Sequence, residues 1–206
     1  MPRRPDMPPL HRSALSDDPI EQFRDWYELA IREVPLADAM TLATLGEDGG
    51  TPDARMVLLK GFGPDGFRFF SSYESAKAAQ LTADPRAALV VYWRELDRQV
   101  RVRGPVERLG SGDSDAYFAG RPRDSQLGAW ASPQSRPIES RAALDERLHE
   151  AERRFGDDEV PRPDFWGGFL LRHQTVEFWQ GQQARLHDRF LYRRTAEGWE
   201  IARLGP

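Results

Sequence analysis

Apolar residues change their period twice along this chain, and the two changes outline its architecture. Ile20, Phe23, Tyr27, Ala30, Ile31 and Val34 recur at helical spacing, which predicts an amphipathic helix with one buried stripe. Its start is marked by Asp18-Pro19-Ile20-Glu21: an N-cap, a proline at the first helical position and a capping-box acid. From Ala39 the period shortens to that of strands. Runs at 40–45, 54–60 and 67–71 are separated by Gly46-Glu47-Asp48-Gly49-Gly50 and Gly63-Pro64-Asp65-Gly66, the chemistry of tight turns in an antiparallel meander. A short helix is expected over 75–82. Strands resume at 87–93 and 99–108, where Val100, Val102 and Val106 alternate with Arg101, Arg103 and Glu107, so that one face is wet.

The period lengthens again over 114–155, a charged, helix-rich stretch broken at Arg121-Pro122-Arg123 and Ser132-Pro133-Gln134-Ser135. It returns to strands at 167–173, 175–179, 189–194 and 199–203, joined by short turns. Runs of strands interrupted by blocks of helix describe a β-barrel decorated by helices and exclude alternating βαβ units. The expected organisation is a mobile arm over residues 1–17 and one domain over 18–206. No repeat of solenoid period and no low-complexity tract is present.

Composition narrows the chemistry. The 206 residues are 30% charged and 11% aromatic, a well-solvated globule that still has large side chains to pack. A formal net charge of -4 disfavours a nonspecific nucleic-acid binder. With no cysteine there is no disulfide, thiolate nucleophile or zinc-thiolate site, so redox chemistry would have to come from a bound cofactor. No run approaches the ~20 apolar residues of a membrane span, and residues 1–12 are rich in Pro and Arg without an apolar signal core. A cytoplasmic protein is expected.

Two motifs fail on context. Gly61-Phe62-Gly63-Pro64-Asp65-Gly66 matches the dinucleotide fingerprint literally, but Phe67-Arg68-Phe69-Phe70 follows where a helix N-terminus is required, so a hairpin is predicted. His11, His149, His173 and His187 show no metal-ligand spacing, and no metal site is expected. What remains is a scattered set of anion-binding candidates: Arg55 and Lys60 at the two ends of one strand, Lys77 in a short helix, Arg121 with Ser125, and Arg185, His187 and Arg189 in one turn. Singly, each is more often a solvated charge than a ligand. Were 185–189 extended, its three basic groups would share one face, an arrangement that asks for an anion or an electron-rich ring.

In these blocks the chain resembles the pyridoxamine 5′-phosphate oxidase family: Arg55-Met-Val-Leu-Leu-Lys60, Arg121-Pro-Arg-Asp-Ser-Gln-Leu-Gly-Ala-Trp130, Phe165-Trp-Gly-Gly168, Glu177-Phe-Trp-Gln-Gly181 and Arg185-Leu-His-Asp-Arg189, in the family's order over 17–206. The resemblance implies an antiparallel six-stranded, Greek-key, FMN-binding split barrel with flanking helices, α+β or mainly β. It further implies a homodimer with FMN at the subunit interface, and an oxidase converting pyridoxamine and pyridoxine 5′-phosphate with O2 to pyridoxal 5′-phosphate and hydrogen peroxide. By position, Arg55, Met56, Val57, Leu58, Leu59, Lys60, Phe70, Ser71, Lys77, Gln99, Gln134, Ser135, Trp179 and Arg189 would bind FMN. Lys60, Tyr117, Arg121 and Ser125 would hold the substrate phosphate. Arg185 and His187 would cover the pyridine ring as the catalytic pair, acting by position and charge.

Three departures stand out. Ala76 occupies a place where most relatives carry Arg, removing a charge-assisted hydrogen bond of ~1.5–3 kcal/mol. Phe70 stands where Tyr is common. Arg136-Pro137 follows Gln134-Ser135 where a second Ser is common, which makes Arg136 a candidate compensation. Two other readings compete: a related flavin oxidase acting on a non-phosphorylated, phenazine-type ring, and a non-catalytic binder of pyridoxal 5′-phosphate.

Overall fold

The computed structural model describes residues 7–46 and 50–206. The arm's first six residues and the centre of the expected turn, Glu47-Asp48-Gly49, lie outside the described residues. Helix α1 (Pro19–Glu33) begins where Asp18 caps it, accepting from the Ile20 amide at 2.8 Å. Glu21 closes no capping box; it pairs with Arg24 at 3.4 Å, and the Asp18 amide donates to Ser16 Oγ instead. The buried stripe is also rolled. Ile20, Phe23 and Ala30 are buried as their period requires, but Gln22 and Trp26 join them and Ile31 is 56% exposed. Trp26 sets the roll: it meets Phe178 edge-on at 5.2 Å and carries the Arg98 guanidinium over its face at 4.3 Å.

Ten strands follow: β1 (Ala39–Leu45), β2 (Pro52–Leu58), β3 (Gly61–Gly63), β4 (Gly66–Ser72), β5 (Arg86–Trp93), β6 (Arg98–Arg108), β7 (Trp166–Leu171), β8 (Thr175–Gln180), β9 (Asp188–Thr195) and β10 (Gly198–Leu204). Helix α2 (Ala76–Ala83) lies between β4 and β5. Helices α3 (Ser111–Ala119), α4 (Arg123–Ala131) and α5 (Arg141–Phe155) fill the gap between β6 and β7.

All pairings are antiparallel, in the order β10-β9-β8-β6-β5-β1-β2, with β7 and β4 branching from the far end of β6. The eleven residues of β6 serve both directions: Arg98–Arg103 pair with β8 and Val106–Arg108 with β7. Six strands, β2-β1-β5-β6-β7-β4, trace the curl. β4 returns to the end of β2, where the Lys60 amide donates to the Arg68 carbonyl at 2.9 Å. β8, β9 and β10 extend the sheet beyond the six expected strands, and β3 adds a short partner for β4. With β5, β6 and β7 side by side and β4 beside β7, the order is that of a Greek key.

The literal dinucleotide fingerprint is the β3–β4 hairpin, with Gly63 opposite Gly66. Gly66 sits at φ 143, and a Cβ there would lie 2.2 Å from the Leu171 carbonyl oxygen, so only glycine fits. The main core packs α1 against the curl through Phe23, Phe67 and Trp93. A second, smaller core gathers Phe118, Leu127, Ala151, Phe155, Val160 and Trp166 under α3, α4 and α5. Residues 8–16 of the arm dock on the β8–β10 flank. Gln180 Nε2 donates to the Pro8 carbonyl at 2.9 Å, the Leu10 amide to Asp188 Oδ2 at 2.9 Å and the Tyr192 hydroxyl to the Ser16 carbonyl at 2.7 Å. None of the described helices is long and apolar enough to cross a membrane.

Candidate active site

The expected site residues fall into three groups. The first surrounds a cavity of about 260 Å³ lined by Arg121, Ser125 and Gln134, together with Ser72, Gly128, Ala129, Ser132 and Trp166. Arg121 ends the turn after α3, and Ser125 lies in the first turn of α4, whose start Pro122 fixes. The Arg121 guanidinium lies 4.5 Å from the centre of the Trp166 ring and 5.4 Å from that of Phe118. Its Nη1 is buried with no hydrogen-bond partner, and among the described residues no carboxylate pairs with it. Burial lowers its pKa. An arginine without a counter-ion, set in a polar cavity, is a receptor for an anion.

Aromatic rings wall this group. Phe70 stacks on Tyr117 at 3.7 Å and 12°, and both lie nearly parallel to Trp166, at 5.7 and 6.2 Å. The Gly167-Gly168 pair of β7 makes room for them. A Cβ on Gly168 would stand 2.8 Å from Phe70 Cε1, and one on Gly167 would stand 2.1 Å from the Tyr73 hydroxyl.

Beside the cavity, Lys77 of α2 is buried with neutral partners only: its Nζ donates to Ser71 Oγ at 3.0 Å and to Gln134 Oε1 at 3.1 Å, while Ser71 Oγ donates to the same Gln134 oxygen at 2.8 Å. Burial, and secondarily the nearby Arg55, pull the ammonium down to about 8. Arg55, on β2, is held inward by Thr44 Oγ1 at 2.6 Å, by Gln80 Oε1 at 2.8 Å and by Asp53. Asp53 pairs with Arg55, and Lys77 has only neutral partners, which again leaves room for an anion. Ser135, next to Gln134, has φ 68, a left-handed conformation that serine rarely adopts and that sets the direction of this loop. Arg136 reaches the turn before α2 and pairs there with Glu74 at 2.9 Å.

The third group lies on β6, β8 and β9, apart from the residues that line the cavity. Gln99, Trp179 and Arg189 are direct register partners across β6, β8 and β9, so their side chains project from one face in a row. Arg189 is engaged by buried Glu177 at 2.8 and 2.9 Å and by the Gly205 carbonyl at 2.9 Å, and Glu177 also binds Arg101 at 3.2 Å. The His187 ring lies 4.7 Å from that of Trp179, and its Nδ1 accepts from the Gln182 amide at 3.1 Å.

Several expectations need correction. Residues 185–189 are not extended: Gln183–Arg185 form a 3-10 turn with Ala184 at φ 53 and Arg185 at φ 61, and β9 starts only at Asp188. Strand alternation therefore does not align the three basic groups, and Glu177 already neutralises Arg189. Arg185 is exposed. Arg55 and Lys60 do not end one strand. Lys60 lies past β2 and pairs with Asp38 at 2.8 Å, outside the residues that line the cavity. Within 55–60 the side chains diverge: Leu59 is buried, Val57 half-buried, and Met56 and Leu58 are 61% and 43% exposed on the outer face of the edge strand. Sequence reasoning did not single out Trp166, Gln80 or Glu177. Two of these stood inside recognised blocks, and Gln80 follows Lys77 at the i, i+3 spacing of one helix face.

The curled antiparallel sheet has solved counterparts. The fold aligns with PhzG from Burkholderia lata, solved in complex with tetrahydrophenazine-1-carboxylic acid, at a TM-score of 0.88 and 28% identity over 96% of this chain and 98% of that one. It also matches a pyridoxamine 5′-phosphate oxidase-related, FMN binding protein from Nostoc punctiforme at a TM-score of 0.74, with 21% identity over 93% and 100%. These likenesses define an FMN-binding split-barrel fold.

Residues 28–154 match the model of the family described as Pyridoxamine 5′-phosphate oxidase, and residues 166–206 match the Pyridoxine 5′-phosphate oxidase C-terminal dimerisation region. The chain is 53% identical to the pyridoxine/pyridoxamine 5′-phosphate oxidase of Salinibacter ruber over 96% of its own length and 93% of that protein's. It is 55% identical to the one from Rubrobacter xylanophilus over 96% and 91%. The chain belongs to the pyridoxamine 5′-phosphate oxidase family.

Proposed function

We propose that the protein binds FMN and oxidises pyridoxine 5′-phosphate and pyridoxamine 5′-phosphate to pyridoxal 5′-phosphate. Dioxygen is the final acceptor and hydrogen peroxide the second product; the amine substrate also takes up water and releases ammonia. The observation that carries this reading is Arg121: a guanidinium with no counter-ion among the described residues, lining a cavity whose other polar groups, Ser125, Ser72 and Gln134, complement a phosphate. The names and high identity of the two bacterial relatives support the same substrate class.

The residues fit a flavin phosphate and ring: buried Lys77 lacks a carboxylate partner, and the row Gln99, Trp179 and Arg189 offers a polar, aromatic surface. FMN, when bound, supplies hydride acceptance and the reaction with dioxygen. The chain's own task is orientation. Arg121 and Ser125 clamp the phosphate, with Tyr117 walling the cavity and Lys60 joining once it leaves Asp38. Such clamping fixes the ring and converts binding energy into alignment of the reacting carbon. Arg185 and His187 cover the ring and supply charge and hydrogen bonds. The dimerisation region contains Trp179, Arg185, His187 and Arg189, which supports a homodimer in which this face of one subunit completes the cavity side of the other, with FMN between them.

The likeness to PhzG favours a second reading, in which the cavity receives the carboxylate of a tricyclic ring; the lower identity of that pair ranks it behind. The test is an aerobic assay of FMN-loaded protein with each phosphorylated vitamer, following aldehyde and hydrogen peroxide together. Equal growth of both products is expected. Bound flavin with neither product would overturn the substrate assignment and direct the search to non-phosphorylated rings, while a colourless protein that takes up the aldehyde would identify a carrier.

A further inference from the structure

Trp166 has no part in the reaction proposed above, yet it is the side chain around which the anion-receptive cavity is built. It is the first residue of β7 and 7% exposed. Its backbone is fixed on both sides: its amide donates to the Pro163 carbonyl at 3.0 Å, and its carbonyl accepts from Arg162 Nη1 at 2.7 Å. Arg162 is in turn paired with Asp115 at 2.6 Å. The indole meets Phe118 edge-on at 5.2 Å and is held parallel to Phe70 and Tyr117. A ring so restrained presents a fixed face, and over that face, at 4.5 Å, lies Arg121.

We propose that Trp166 is a positioning residue that sets the cavity's preference for phosphorylated substrates, by holding the Arg121 guanidinium over its ring as an anion receptor. The proposal rests on the substrate reading above. Among the described residues Arg121 has neither a carboxylate nor, for Nη1, any hydrogen-bond partner to orient it; the aromatic face does that work without neutralising the charge. A carboxylate in the same place would fix the guanidinium equally well but would occupy the donors the phosphate needs. The π face attracts the cation and leaves its in-plane N–H groups free. The cation–π contact therefore separates the orienting contact from the binding contact.

The test compares the FMN-loaded wild type with Trp166→Leu and Trp166→Phe. KM and kcat are measured with pyridoxine 5′-phosphate, and the dissociation constant of pyridoxal 5′-phosphate is measured by calorimetry. Trp166→Leu is expected to raise KM and that dissociation constant about tenfold, with kcat at saturation within about threefold. Trp166→Phe, which keeps an aromatic face and is the safer variant for folding, is expected to recover most of the loss. The proposal is overturned if Trp166→Leu folds, holds flavin and binds pyridoxal 5′-phosphate as the wild type does, or if Trp166→Phe loses as much as Trp166→Leu, since the ring would then matter only as volume. If Trp166→Leu does not fold, Trp166→Phe decides: a KM rise of about two- to threefold with kcat unchanged supports the proposal, and no change in KM overturns it. A wild type that fails to bind phosphorylated vitamers would instead overturn the substrate reading.

Discussion

The Arg121 cavity and the Arg185–Arg189 turn carry similar side chains in opposite circumstances. In the cavity, α3, α4 and β7 of one chain deliver a cation onto an aromatic floor, and among the described residues no carboxylate neutralises it. At the turn, Glu177 has already taken Arg189, Asp188 is tied to Leu10, Gln182 and Arg203, and Arg185 stands in solvent. The cavity holds a cation that no described carboxylate pairs with. The turn, by contrast, has its charges already paired or in solvent, and it lies in the part of the chain that matches the dimerisation region.

This contrast can be broken most directly at the cavity. Arg121→Ala removes a charge-assisted, potentially bidentate contact of ~1.5–3 kcal/mol, so KM for pyridoxine 5′-phosphate should rise about 10- to 100-fold while FMN titration of the apoprotein stays unchanged. An unchanged KM would mean that the cavity is not the phosphate site.

The joint between the two regions comes next. His173 connects β7 to β8, is buried against Trp199 at 5.3 Å and has an unpartnered Nδ1. Burial, and then Arg194, hold it down to about 4 from an ordinary 6.5. It is therefore neutral in the fold, and the unfolded chain takes up the proton first as pH falls. Its contribution, present above pH 6.5, should be lost as pH drops from 6.5 towards 4, by up to roughly 3 kcal/mol. Urea melts of the wild type and His173→Phe at pH 7.5 and 4.5 would show this as a steeper acid loss in the wild type. Parallel pH dependence in the two proteins would refute it.

The smallest stability effect is expected at the turn. Exposed Arg185→Ala should move unfolding free energy by less than about 0.5 kcal/mol, yet lower turnover of the FMN-loaded enzyme. If turnover and KM both hold, the turn does not cover the substrate.

Much of the fold was legible because strand and helix periods are local. The runs at 40–45, 87–93 and 99–108, the helix opened by Asp18-Pro19 and the hairpin at Gly63–Gly66 all follow from side-chain alternation and turn chemistry. The roll of α1 was not legible: Trp26 competes with Ile31 for burial, and Phe178, 152 positions away in the chain, decides the contest. Arg121, Ser125 and Gln134 could be named from their blocks, and the structure brings them to one cavity. The place of Lys60 was not legible: it lies past the end of β2 and pairs with Asp38, distant in sequence.

By itself the sequence determined which segments alternate, where they turn and which charges were available, since each depends on neighbours a few residues apart. Only the tertiary structure decided which of those charges are left unsatisfied. Arg121 meets Trp166 across 45 positions, and Glu177 reaches Arg189 across a strand pair. Whether a cation becomes a receptor or half of an ion pair depends on which long-range partner the fold brings within a few ångströms, where desolvation and Coulomb attraction are strong enough to choose.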